Sequence, residues 1–266
     1  MRGNDNPGGA ASYETAALRI QTLGGFRVWR EGVEVDPTEW GREKAVHLLQ
    51  FFVTLRRKPL HKEEIIDRLW PDLDSETGNR DFKVALSITL KTLEPDRAPR
   101  AQSRFIRRYD LAYGLNLETA QVDADEFESF VEGGNHALAR DVVAAIEKYQ
   151  RAIALYTGEY LPERRYEDWS SAERERLQTL ALGTMTALAK LLLDSNPLES
   201  LRLTQRVLAL DSAWEEAYRI QMKAHLAQGN RALALRVYQQ CLQALADEFG
   251  IEPLPETQDL HNSIRG

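Results

Sequence analysis

Residues Leu60–Pro95 read LHKEEIIDRLWPDLDSETGNRDFKVALSITLKTLEP, and the rest of the chain is best approached from there. The pattern predicts two helices joined by a short turn. The first runs from about Lys62 to Leu69, opens with Glu63-Glu64 at its positive end and buries Ile65, Ile66 and Leu69. Trp70-Pro71 ends it, since proline cannot continue a helix. The second runs from about Thr77 to Glu94. Phe82, Ala85, Leu86, Thr89 and Leu93 recur at helical spacing along one face. Arg80, Lys83, Val84, Ser87 and Lys91 fall on the opposite face, with no carboxylate among them. A helix buried on one side and basic on the other suits the major groove of DNA, which is wide enough for one helix. Arg and Lys there reach phosphates and guanine edges, and Val84 could touch a thymine methyl. A plain amphipathic helix with a solvated outer face shows the same pattern, so the flanking sequence has to discriminate.

Upstream, Leu18 to Leu23 alternates, Gly24-Gly25 turns, and Phe26 to Arg30 alternates again, which is a hairpin signal. Glu31-Gly32 makes a further turn before a short strand at Val33–Asp36. A helix follows from about Arg42 to Leu55, with Ala45, Leu48, Leu49, Phe52 and Leu55 as its buried stripe. Arg56-Arg57-Lys58 and then Pro59 close it, cations being favourable at a helix C-terminus. Downstream, Pro95 to Ser103 reads as loop. Phe105–Asp110 and Ala112–Leu117 read as a second hairpin carrying Arg107 and Arg108. Strands, three helices and a closing hairpin make a winged helix-turn-helix over residues 18–120. On its wing, Arg107 and Arg108 are placed to meet phosphates or the minor groove. Residues 1–17, rich in Gly, Asn and Ala, lack periodicity and are expected to be disordered.

Residues 121–266 are helical by pattern, and three segments overlay. Ala145, Tyr149 and Ala152 correspond to Ser200, Thr204 and Val207, and these to Ala234, Tyr238 and Cys241. The last two copies stand 34 residues apart, the tetratricopeptide period. Small residues at 145, 200 and 234 let paired helices approach closely. The stretch Gly158 to Trp169, with Pro162, reads as an irregular crossover in which Arg164-Arg165 is expected to be solvated. The expected fold class is therefore mainly α: a winged helix-turn-helix with small β-hairpins, then an all-α tetratricopeptide-like domain.

Composition narrows the classes of function. The net charge is −7, but residues 18–120 hold 18 Lys and Arg against 16 Asp and Glu, while residues 121–266 hold 15 against 23. The mildly basic half is the one with the winged helix. There is no apolar run of about 18 residues to span a membrane and no apolar signal region. The single cysteine, Cys241, fits a reducing, cytoplasmic setting. Glycine-rich phosphate loops and nucleophile elbows are missing from the sequence, so no enzyme activity and no cofactor are expected. The five histidines show no metal spacing. His47 is expected to be structural, Cys241 a buried helix contact, and Tyr149 and Tyr238 helix-pair packing.

Leu23-Gly24-Gly25-Phe26, the Leu69-Trp70-Pro71-Asp72 corner and Phe82-Lys83-Val84-Ala85-Leu86-Ser87 ending in Leu93-Glu94-Pro95 resemble one family. It is the Streptomyces antibiotic regulatory proteins, whose DNA-binding domain is an OmpR-like winged helix. Tyr113-Gly114-Leu115 and Val122-Asp123-Ala124-Asp125-Glu126-Phe127 are similar to that family's wing and domain junction. Phe249-Gly250-Ile251-Glu252-Pro253 followed by Pro255-Glu256-Thr257 resembles the end of its bacterial transcriptional activator domain. The resemblance covers about residues 18–262, in the family's domain order. It implies a sequence-specific activator that binds double-stranded promoter DNA as two protomers on direct repeats and contacts RNA polymerase. The helical pattern still runs near Gly266, as expected of part of a longer regulator. A second reading is a helical-repeat interaction scaffold that does not bind DNA. It is favoured by Ile88-Thr89-Leu90-Lys91, where the family is rich in arginine, and by Asp81 near the DNA end of the helix.

Overall fold

A computed structural model describes residues 16–266. The tail expected to be disordered lies, up to Thr15, outside the described residues. The chain divides into two compact units. One holds the described residues up to Phe127 together with Leu155–Leu177; the other holds Glu128–Ala154 and Gln178–Gly266.

In the first unit, β1 (Leu18–Gln21) buries Leu18 and Ile20 and turns the alternate residues outward. It pairs antiparallel with β2 (Arg27–Arg30), which pairs with β3 (Val33–Glu34). The turn after β1 needs glycine at position 24: its φ is 86°, and a Cβ there would strike Thr157 Oγ1. On the other side of β1 lies β7 (Ala120–Val122), parallel to it, giving the order β3-β2-β1-β7. The sequence pattern does not predict this strand, because a parallel partner from the far end of the segment leaves no local turn signal. The buried carboxylate of Asp123 holds this junction. It accepts from Thr22 N (2.8 Å), Thr22 Oγ1 (2.6 Å) and Leu23 N (2.9 Å).

Helix α1 (Glu43–Thr54) is buried at every residue from His47 to Thr54, not only along the expected stripe. The reason is a second partner. Segment 155–177 covers its other side: Trp169 packs on Phe51 at 5.4 Å and on His47 at 5.5 Å, and Tyr160 Oη meets Thr54 Oγ1 at 2.9 Å. Arg164 donates to Gln50 Oε1 (2.7 Å) and pairs with Glu43, so it is packed and not solvated; Arg165 stays exposed beside Glu159. His47 is structural, as expected. Burial first, and the nearby Arg164 charge second, push its imidazole down to about 4.

After α1, Arg56, read from the sequence only as one of the cations that close the helix, turns into the interior. Its side chain is 1% exposed and bonds to Asp125, Glu173 and the Val53 carbonyl. Burial would lower its affinity for a proton, but the hydrogen bonds and charge of Asp125 outweigh that and hold the guanidinium firmly charged. Then come β4 (Leu60–His61), α2 (Lys62–Leu69), α3 (Ser75–Leu93), β5 (Ile106–Tyr109) and β6 (Ala112–Leu115). The wing is a three-stranded sheet ordered β4-β6-β5, with Leu60 opposite Tyr113.

The second unit is helical. Its helices are the C-terminal part of α4 (Asp123–Leu138), α5 (Val142–Leu155), the C-terminal part of α6 (Asp168–Leu192), α7 (Pro197–Leu210), α8 (Glu215–Ala227), α9 (Arg231–Phe249) and α10 (Pro255–Arg265). The overlaid positions behave alike: Ala145, Ser200 and Ala234 are fully buried, and so are Ala152, Val207 and Cys241. Tyr149 packs on Gly134, where a Cβ would lie 2.5 Å from its ring, and donates to Asn135 at 2.6 Å. Ser200 Oγ donates to the Ala189 carbonyl at 2.7 Å. Tyr238 differs from Tyr149 in stacking on His261 at 3.9 Å. Cys241 sits in the apolar cluster of α8, α9 and α10, and burial pushes its thiol up to about 12.

Candidate nucleic-acid interface

Helix α3 is the candidate recognition element, and local chemistry fixes where it starts. Asp74 caps it, accepting from Glu76 N and Thr77 N at 3.0 Å each. The Thr77 bonds hold that carboxyl below its ordinary range. Gly78 lets the first turn lie against α2, since a Cβ there would come within 2.6 Å of Ile66 Cγ2. Thr89, fully buried, donates to the Ala45 carbonyl of α1 at 3.1 Å. Phe82 meets Tyr113 of the wing edge-on at 5.2 Å. The buried side is Gly78, Phe82, Ala85, Thr89, Thr92 and Leu93. Leu86, expected on that side, is only half-buried and faces the wing.

Arg80, Lys83, Ser87 and Lys91 are all exposed along the opposite side, and Val84 is half-buried at its edge. Arg80 lies 3.3 Å from its neighbour Asp81, an open pair with side chains 70% and 40% exposed. Pairs of this kind contribute at most about 1 kcal/mol, so either partner exchanges readily. On the wing, Arg107 pairs with Glu118, which raises its affinity for the proton. Arg108 donates from Nε to the Asp110 carbonyl at 2.6 Å. The tip turns through Asp110 at φ 56° and exposes Tyr109 and Leu111 on either side.

Between α3 and the wing lies an open cleft of about 820 Å³, with Leu86, Leu90 and Ile106 among its lining. Arginines 97, 100, 104, 107 and 108 ring it. The first three were missed in reading the sequence, because the loop after α3 carries no periodicity. A signal was nevertheless there: residues 97–108 hold five arginines and no Asp or Glu. The loop is anchored. Glu94, 5% exposed in its side chain, accepts from Ser103 Oγ and from Arg104 N at 3.0 Å. Asn116 Nδ2 and Thr119 Oγ1 each donate to the Arg104 carbonyl at 2.7 Å. Among the described residues no cluster of three or more His, Cys, Asp or Glu could hold a metal, and no helix is long and apolar enough to cross a membrane.

Fold and site together define a winged-helix protein with a helical-repeat second part. The chain belongs to the family described as the bacterial transcriptional activator domain, whose sequence profile matches residues 122–265. The resemblance to the Streptomyces antibiotic regulatory proteins drawn from the sequence is thereby borne out. The chain is similar to Regulatory protein AfsR of Streptomyces coelicolor, 27% identical over 259 residues, covering 96% of this chain and 25% of that protein. It is also similar to Regulatory protein AfsR of Streptomyces griseus, 26% identical over 249 residues, covering 93% of this chain and 24% of that protein. It therefore spans about a quarter of the length of these curated relatives. Among solved structures, Mycobacterium tuberculosis EmbR in complex with a low-affinity phosphopeptide shares the fold. The TM-score is 0.80 at 20% identity, over 94% of this chain and 65% of that one.

Proposed function

We propose that this protein is a sequence-specific, DNA-binding transcription regulator that acts as an activator in the cytoplasm. The observation that carries the reading is the exposed cationic side of α3, standing beside a basic wing in a chain of the bacterial transcriptional activator family. In this reading residues 18–120 are the DNA-binding domain and residues 121–266 the activator domain. Arg80, Lys83, Ser87 and Lys91 enter the major groove with Val84 against a thymine methyl, and Arg107 and Arg108 meet phosphates or the minor groove. Two protomers occupy direct repeats, and the helical repeats contact RNA polymerase. The ion pairs of Arg80 and Arg107 are no obstacle, since phosphate replaces a surface carboxylate at little cost.

The test is footprinting and affinity measurement of the full chain on its own upstream region. We expect a protected repeat and an affinity that falls steeply with salt. Arg80→Ala should cost about 1–3 kcal/mol on the preferred sequence and relax the choice of base there. A chain that shifts no promoter DNA even at low salt would leave the scaffold reading in its place.

A further inference from the structure

We infer that the cleft between α3 and the wing receives one phosphodiester strand of the duplex, and that Arg97, Arg100 and Arg104, on the loop before β5, hold its phosphates. This rests on the DNA-binding reading above and adds to it a third element besides the helix and the wing. A helix in the major groove and a wing in the neighbouring minor groove have one sugar–phosphate backbone between them. That backbone must cross whatever surface lies between the two protein elements. Here the surface is a trough with Leu86, Leu90 and Ile106 among its lining, which suit deoxyribose rings, and with arginines around it, which suit phosphate oxygens.

The loop is built to present these side chains. Its far end is tied by Glu94, Asn116 and Thr119, and Arg97 folds back to donate to the Ala101 carbonyl. Arg100 sits at φ 66°, a left-handed conformation that a residue with a Cβ seldom adopts, with its side chain exposed. Nothing in the fold requires an arginine at that turn, where glycine would be unstrained. Arg104 pairs with Glu31 and Glu94 while its side chain stays 56% exposed.

Arg100→Gly separates charge from folding, because glycine adopts the turn without penalty. Binding of the full chain to its upstream promoter DNA and to a scrambled duplex is measured across salt, together with phosphate-ethylation interference. We expect Arg100→Gly to weaken both duplexes several-fold alike and to lower the salt slope by about 1. The ethylation signal should disappear at a phosphate lying between the major-groove and minor-groove contacts. The triple change Arg97→Gln, Arg100→Gly, Arg104→Gln should lower the slope by about 3; if it fails to fold, the single variant decides. Wild-type binding with an Arg100→Gly slope and ethylation pattern unchanged would overturn this inference and leave the function standing. A loss confined to the promoter sequence would make Arg100 a base reader and overturn it equally. A wild-type chain that binds no DNA would remove the function itself.

Discussion

Arg56 shows how little a single letter says of its surroundings. In the sequence it is one of three cations closing a helix, where solvent exposure is the ordinary outcome. In the folded chain it is enclosed and bonded to carboxylates from two later helices, Asp125 of α4 and Glu173 of α6. Removing one member of such a set strands the others in a poorly hydrated place. Arg56→Met should destabilise the first unit by about 3 kcal/mol, read as a lowered urea midpoint. An unchanged midpoint would mean that the two carboxylates rehydrate freely. His47 makes the same point from the neutral side. It lies on the face of α1 that Trp169 covers, and its ring packs there.

At the scale of elements, α2 and α3 were legible almost to the residue. Lys62–Leu69 is as expected, and α3 begins at Ser75 in place of Thr77 because Asp74 caps it. Amphipathic spacing and a proline stop are local signals, so sequence carries them in full. The contact between the two helices is not local. Gly78 in the first turn of the helix reads as a defect that alanine would repair by up to about 1 kcal/mol. The structure reverses that sign, since the added methyl meets the branched Cγ2 of Ile66, whose rotamer is stiff in a helix. Gly78→Ala should therefore lose about 1 kcal/mol in urea unfolding, overpacking outweighing propensity. A gain in stability would show that α2 can shift away.

At the scale of the whole chain, the candidate DNA-binding surface was half legible. The helix face and the paired arginines of the wing stood out by pattern; Arg97, Arg100 and Arg104 did not, since only the closing of the wing over α3 turns their loop into one side of a cleft. The extent of the first compact unit was less legible still. It continues past the expected 120/121 boundary to Phe127 and takes in Leu155–Leu177, which supplies Tyr156, Tyr160 and Leu161 to its interior. A fragment of residues 16–120 lacks β7's last strand residues, Asp123 and that cover over α1. It should show no cooperative urea transition matching that of the full chain. A fragment unfolding at the full-chain midpoint would show that segment 155–177 is dispensable.

Sequence by itself determined the helices of the winged helix, the helical repeat and the cationic side of α3, because each is written in the spacing of neighbouring residues. Only tertiary structure decided that β7 runs beside β1, that Arg56 and Arg164 are enclosed, and that five arginines ring one trough. Those outcomes depend on residues far apart in the chain meeting in space, and no local period records such a meeting.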